Sequence, residues 1–135
     1  MQTLPNAMGQ LEAEQAEMLK KITEIACQRV PASEASRLNH FIQIYYQNLN
    51  PQTSQSLMPQ DLAGMAVQHY SLLLRYKPNQ PQVMVSNPNF ETQNFHTPHT
   101  VIQMVAYDRP FLIDSLLMCL DGLNSEGLEI EKLDI

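Results

Sequence analysis

Pro98-His99-Thr100-Val101-Ile102-Gln103-Met104-Val105-Ala106-Tyr107-Asp108-Arg109-Pro110-Phe111-Leu112-Ile113-Asp114-Ser115-Leu116 is the stretch that decides the fold. Residues 101–107 are β-branched and apolar, the composition of a strand buried on at least one face. Ile102, Met104 and Ala106 fall on one side, Val101, Val105 and Tyr107 on the other. Asp108-Arg109-Pro110 ends the strand, because Pro cannot donate to a ladder yet suits the first turn of a helix. Asp108 stands where a helix N-terminus has free N–H groups and is suited to cap them. Beyond it, Ile113, Leu116, Leu117, Leu120 and Leu123 recur at helical spacing and predict one buried face. Gly122 is a weak position inside this helix, and Gly127 reads as its stop. Residues 128–135 predict a further strand, whose alternation slips between Ile130 and Leu133 as at a bulge or a strand end. The stretch therefore predicts β-α-β, a connection that joins parallel strands with right-handed sense.

Working outward, residues 82–86 are a short strand candidate with Val83 and Val85 facing one way. The polar segment 87–99 joins it to the main strand; a loop of that length is either functional or packed by its own aromatics, here Phe90 and Phe95. Upstream, three helices are predicted. Residues 1–10, with Pro5 and Gly9, are expected to be disordered. The first helix covers about residues 11–29, with a stripe of Leu11, Met18, Ile22 and Ile25, and Pro31 stops it. The second covers about residues 34–49, capped by Ser33, with Leu38, Phe41, Ile42, Tyr45 and Leu49 on one face. Pro59 opens the third, with Asp61 in its first turn; Leu62, Met65, His69, Leu72 and Tyr76 share a face, and Pro78 and Pro81 close it. The class is α+β, with a disordered segment 1–10, a helical segment 11–77 and a β-α-β segment 78–135.

A chain of 135 residues fits one domain and can bury roughly two-thirds of its unfolded surface. Its net charge of −6 argues against nucleic acid or an anionic membrane as the main partner. Two isolated cysteines without a secretory signal fit a reducing cytoplasm. No apolar run is long enough to span a membrane. The last residues, Leu133-Asp134-Ile135, read as strand without a polar tail, so the chain is expected to be part of something longer.

No catalytic constellation stands out. His96, His99 and Asp108 invite a metal reading, but the two histidines flank Pro98 in a loop and spacing fixes no third ligand; polar loop histidines are the better reading. Cys27 and Cys119 fall in helical patterns, where a free Cys behaves as a small hydrophobe rather than as a nucleophile. His69 sits on an apolar stripe and reads as a core or boundary histidine. Asp108 and Asp114 could do acid–base work as a pair, but a cap and a first-turn carboxylate explain them more simply. A middle reading is that amides at this strand-to-helix junction hold a small anion, such as an amino acid's carboxylate, while the acidic groups hold its ammonium. The four glycines form neither phosphate-binding pattern, GxGxxG or GxxxxGK[ST]. Tyr45, Tyr46, Tyr70 and Tyr76, at helical spacing, read as core.

Several motifs occur in an order that resembles one family. Pro98-His99-Thr100-Val101 followed by Asp108-Arg109-Pro110-Phe111-Leu112-Ile113-Asp114-Ser115 is similar to a Pro-His-Thr-Val strand and an Asp-x-Pro-Phe-Leu-Val-Asp-Ser helix start of the large bacterial NAD-specific glutamate dehydrogenases. Gly64-Met65-Ala66-Val67-Gln68-His69-Tyr70 and Val83-Met84-Val85-Ser86-Asn87-Pro88 resemble two further segments of the same N-terminal region. The likeness covers about residues 34–135. Phe95 stands where that family often has Trp, and Lys77-Pro78-Asn79 replaces a more glycine-rich turn. The resemblance implies a partial ACT-like, ferredoxin-like unit with a regulatory or assembly role. It implies a parent enzyme that oxidatively deaminates L-glutamate with NAD, its catalytic groups and nucleotide site lying elsewhere. It also implies an amino-acid effector loop at Asp108, Arg109, Pro110, Phe111 and Asp114, and no catalytic, cofactor or metal residues in the chain itself. The expected partners are the remainder of its own polypeptide and further copies in a homo-oligomer, with no nucleic acid and no membrane. The alternative from another class is a stand-alone interaction module that dimerises through an exposed sheet edge.

Overall fold

The computed structural model describes residues 3–47 and 57–124. In chain order these form α1 (Thr3–Cys27), α2 (Ala32–Tyr45), α3 (Pro59–Leu74), β1 (Gln82–Ser86), a short α4 (Phe90–Gln93), β2 (Val101–Val105) and α5 (Leu112–Asn124). The chain parts into two compact units, one reaching to Val105 and the other beginning at Ala106. This division differs from the one expected at residues 77/78, because β1 and β2 pack on α3 rather than standing apart from the helices.

In the first unit α1, α2 and α3 enclose the main core. Ile22 and Ala26 come from α1, Leu38 and Ile42 from α2, and Leu62, Ala63 and Ala66 from α3, all at 0% exposure, with Tyr46 and Tyr70 beside them. Each large aliphatic side chain buried in this way is worth about 1.5–3 kcal/mol. Met18, Ile22 and Ile25 of the stripe anticipated for α1, and Leu38, Phe41, Ile42 and Tyr45 of that for α2, are therefore on packed faces. The ends differ. Residues 3–10 are helical rather than disordered: Pro5 falls in the first turn of α1, where its missing N–H costs no helical bond. Ser33 lies inside α2 and Pro31 is its N-cap, with Glu34 N–H donating to Pro31 O at 2.9 Å. Pro31 at φ −58°, ψ 149° already turns the chain into the helix. Tyr45 ends α2; Leu49 lies outside the described residues.

α3 has two working sides. Leu62, Ala63, Ala66 and Tyr70 face the helices, while Met65, Gln68 and His69 meet the sheet. After α3, Lys77-Pro78-Asn79-Gln80 makes a tight turn. Gln80 N–H donates to Lys77 O at 3.0 Å and Asn79 is left-handed at φ 65°, the pattern of a type II turn with Pro at its second position.

β1 and β2 pair antiparallel, from Gln82↔Val105 to Ser86↔Val101. β1 has the bounds its sequence predicts. β2 stops at Val105 rather than at Tyr107, because the next partner in this register is Pro81, which has no N–H to give. Val83, Val85 and Ile102 are exposed on one face of the sheet; Gln103 is buried at 4% exposure on the other. The parallel partner expected at residues 128–135, and the stop at Gly127, lie outside the described residues. The α+β class is as expected from the sequence.

The connection between the strands is packed by an aromatic. α4 ends at a left-handed Asn94, φ 62°, and Phe95 then enters the interior at 0% exposure.

Candidate functional site

The residues expected to form an effector loop all belong to the second unit. Asp108, Arg109, Pro110 and Phe111 form the exposed connection into α5, and Asp114 is exposed in its first turn. Arg109 O accepts from Leu112 N–H at 3.1 Å, closing a turn around Pro110 and Phe111. Phe111 O accepts from Ser115 N–H at 2.8 Å, the first bond of the helix. The helix therefore starts two residues later than Pro110 predicts, with Phe111 in the flanking position usually held by a small polar residue. Phe111 is left-handed, φ 63°, and its side chain is 76% exposed. For a bulky residue this backbone is costly, of order 1–3 kcal/mol. The junction thus shows first-turn amides, the Asp108 and Asp114 carboxylates, the Arg109 guanidinium and one aromatic face. That donor set suits a zwitterion of amino-acid size.

The second cluster of polar groups is a seam between α3 and β2, and spacing alone does not reveal most of it. Gln103 Nε2 donates to Met65 O at 3.0 Å, and Gln68 Nε2 donates to Gln103 Oε1 at 2.9 Å. His69 Nε2 lies 3.1 Å from Met104 O, and its Nδ1 lies 2.7 Å from the Tyr45 hydroxyl. A carbonyl only accepts, so Nε2 carries the proton; Nδ1 of the neutral ring then accepts from Tyr45 O–H. Burial lowers the His69 pKa from its ordinary 6.5, and the bond to the Met104 carbonyl opposes this in part. Nearer the start of α3, the buried Asp61 carboxylate accepts from His96 N–H at 3.0 Å. Between these, Gly64 lies against Phe95: a Cβ on Gly64 would come within 2.5 Å of the Phe95 Cβ. On the opposite side of α3, Tyr70 O–H donates to Glu34 at 2.8 Å, a bond that raises the phenol's pKa.

His69 thus sits at a boundary, as its apolar stripe suggests. Gln103 was the one polar residue inside the 101–107 run, and that is the signal by which it could have been found. Asp61 stands in the first turn of α3, as its place after Pro59 predicts, and its carboxylate also holds the 94–100 loop through His96 N–H. His96 N–H donates to Asp61 and His99 N–H to Thr97 Oγ1 at 2.9 Å, so the backbone of both histidines serves the loop itself. Among the described residues, no three His, Cys, Asp or Glu side chains gather as a metal site would require. Cys27 Sγ points at Ala35 O within the helical core region, and Cys119 is exposed on α5. No helix among the described residues is long and apolar enough to cross a membrane.

Comparison with known proteins bears on both clusters. The NAD-specific glutamate dehydrogenase of Halomonas elongata is 25% identical over 122 residues, 90% of this chain and 7% of that protein. The protein of the same name from Pseudomonas aeruginosa is 37% identical over 73 residues, 54% of this chain and 4% of its own length. The chain therefore spans less than a tenth of either relative. No solved structure matches at the same stringency. The family model described as "Glutamate dehydrogenase, ACT1 domain" matches residues 41–132, which include the α3–β2 seam and the junction into α5. By that match over more than half its length, the chain belongs to the ACT1-domain family of glutamate dehydrogenase.

Proposed function

We infer that the chain is an N-terminal regulatory and assembly segment of a cytoplasmic, homo-oligomeric NAD-dependent glutamate dehydrogenase. The full-length enzyme converts L-glutamate, NAD and water to 2-oxoglutarate, ammonium and NADH, with the hydride-transfer machinery outside this segment. The observation that carries this reading is the family match over residues 41–132, joined to the way the fold uses its polar interior. His69, Gln103, Asp61 and Tyr46 all spend their polar atoms on bonds that hold elements together. The junction from Asp108 to Asp114 is largely exposed, and there an amino-acid effector would meet first-turn amides and carboxylates.

The test uses the full-length enzyme carrying Asp108→Asn with Asp114→Asn. NADH formation is followed while each proteinogenic amino acid is added in turn. The expected result is unchanged glutamate turnover without effector and a loss of about tenfold or more in apparent effector affinity, the scale of one charge-assisted bond. An effector response that survives both substitutions removes the junction from this role. A wild-type enzyme that responds to no amino acid leaves assembly as the function.

A second reading rests on the sheet. Its outward face carries Val83, Val85 and Ile102 at 58%, 62% and 45% exposure, and a two-stranded sheet offers edges to another strand. An interaction module that pairs two copies would show as a dimer in light scattering; a strict monomer at high concentration sets this reading aside.

A further inference from the structure

We propose that the N-terminal half of α1 is a docking strip for a second helix, supplied by the remainder of the parent enzyme, with an aliphatic seam and Lys or Arg on its flanks. This rests on the reading of the chain as an assembly segment and names the chemistry of its partner. The first observation is length. α1 has 25 residues, against 14 in α2 and 16 in α3. At a rise of 1.5 Å per residue that is about 37 Å, against about 21 Å and about 24 Å. Among the described residues, the α1 share of the core begins only at Met18 and continues through Leu19, Ile22, Ile25, Ala26 and Cys27. Ahead of it, Glu12, Ala13, Glu14, Ala16 and Glu17 are exposed, and Gln15 is only partly covered. The helix thus runs on past its own bundle, and a stretch of this length gains little stability unless a partner buries one face.

The second observation is register. Leu4, Met8, Leu11, Gln15, Met18, Ile22 and Ile25 follow one another in alternating steps of four and three, the 3.5-residue period of a coiled-coil seam. The last three are packed in the bundle. The first four hold the same line in the section that runs past it, so a helix docked there continues the packing line of the core. Gln15 is polar within that line and fixes the register of a partner that answers it with an amide.

Charge selects the occupant. Glu12 and Glu14 stand at the two positions beside the seam, and residues 2–19 contain no Lys or Arg. A second copy therefore offers these carboxylates no free cation. Its nearest basic side chains, Lys20 and Lys21, stand beside Ile22, which is at 0% exposure in its own core. A helix with basic flanks pairs with both glutamates. The parent has ample chain to supply one, since this segment spans 7% and 4% of the two relatives.

Two measurements test this. Amide hydrogen exchange at residues 6–17 is compared between the 135-residue chain and the full-length enzyme. Protection should be about tenfold or more higher in the full-length enzyme, as for a helix gaining a packed partner, and Leu11→Asp there should return it to the rates of the short chain. Two synthetic three-heptad peptides, alike in a Leu seam with one Asn but with either Lys or Glu on the flanks, are then titrated into the 135-residue chain. The Lys peptide should bind about tenfold tighter, the scale of a few favourable against unfavourable interhelical pairs. Glu12→Lys with Glu14→Lys should invert that preference, and Leu11→Asp should abolish binding of both peptides. Protection no higher in the full-length enzyme overturns the proposal, and so does a peptide preference that ignores the two glutamates. A dimer of the short chain in light scattering that Leu11→Asp dissolves also overturns it, because the occupant is then a second copy. Glutamate-dependent NADH formation by the same full-length preparation tests the underlying reading separately, so the failure of either is recognised by itself.

Discussion

At the scale of single residues, the tightest constraint is the contact between Gly64 and Phe95. Gly64 lies within α3, where glycine normally costs about 1 kcal/mol against alanine. It is there because Phe95, at 0% exposure, occupies the space a Cβ would need. Gly64→Ala should gain helix propensity yet lose more to overpacking, a net destabilisation of about 1–3 kcal/mol in urea unfolding. Phe95→Ala alone should cost about 3–5 kcal/mol by leaving a cavity. The double variant should cost clearly less than the sum, because each substitution relieves part of the other's defect. Additive values would mean that the two residues do not share this space. Neither half of the pair was legible by itself. Gly64 belongs to a sequence motif that names no partner, and Phe95 reads only as one aromatic in a polar loop. Gln103 was partly legible: strand alternation puts it with Val101 and Val105, but it cannot say that the inward face offers Met65 O and Gln68.

At the scale of elements, local chemistry placed the strands and most helix faces, and failed where one backbone angle overrides a pattern. β1 was readable because Val-Met-Val is bounded by Pro81 on one side and Asn87-Pro88 on the other. The two residues wrongly added to β2 look like strand; only the register against Pro81 shows that they have no partner. α5 begins at Leu112 because Phe111 is left-handed, a choice no propensity would suggest for Phe. The turn from α3 into β1 gives a sharper test. Asn79 holds the left-handed position of that turn, which Asn tolerates and Gly tolerates better. Asn79→Gly should leave stability within about 0.5 kcal/mol, while Asn79→Val should cost about 1–2 kcal/mol, since a β-branched residue resists this conformation. Thermal unfolding of the three proteins decides it, and a Val variant as stable as the parent would mean the turn has another geometry.

For the whole molecule, the sequence could announce the α+β class, the family and the lack of a nucleotide-binding pattern, because each rests on order and composition. It could not announce that the helices and the two strands form one compact unit, since that depends on buried bonds between residues more than thirty positions apart, as between Gln68 and Gln103. A fold so organised has a consequence for activity. Hydride transfer from glutamate needs a pocket that holds the amino acid beside a nicotinamide and a group to take its proton. In the compact unit the His69 imidazole is bound on both nitrogens, to the Tyr45 hydroxyl and to the Met104 carbonyl. The exposed carboxylates at the junction stand on a connection and in a first helical turn. The 135-residue chain mixed with L-glutamate and NAD should therefore produce no NADH above a blank, read by absorbance, across pH 6 to 9. The same assay on the full-length enzyme should be active, and deleting residues 41–132 from it should change its assembly or its effector response before it changes the chemistry itself. Glutamate-dependent NADH from the short chain would place the reaction inside this fold and overturn the division of labour between a control segment and a distant catalytic one.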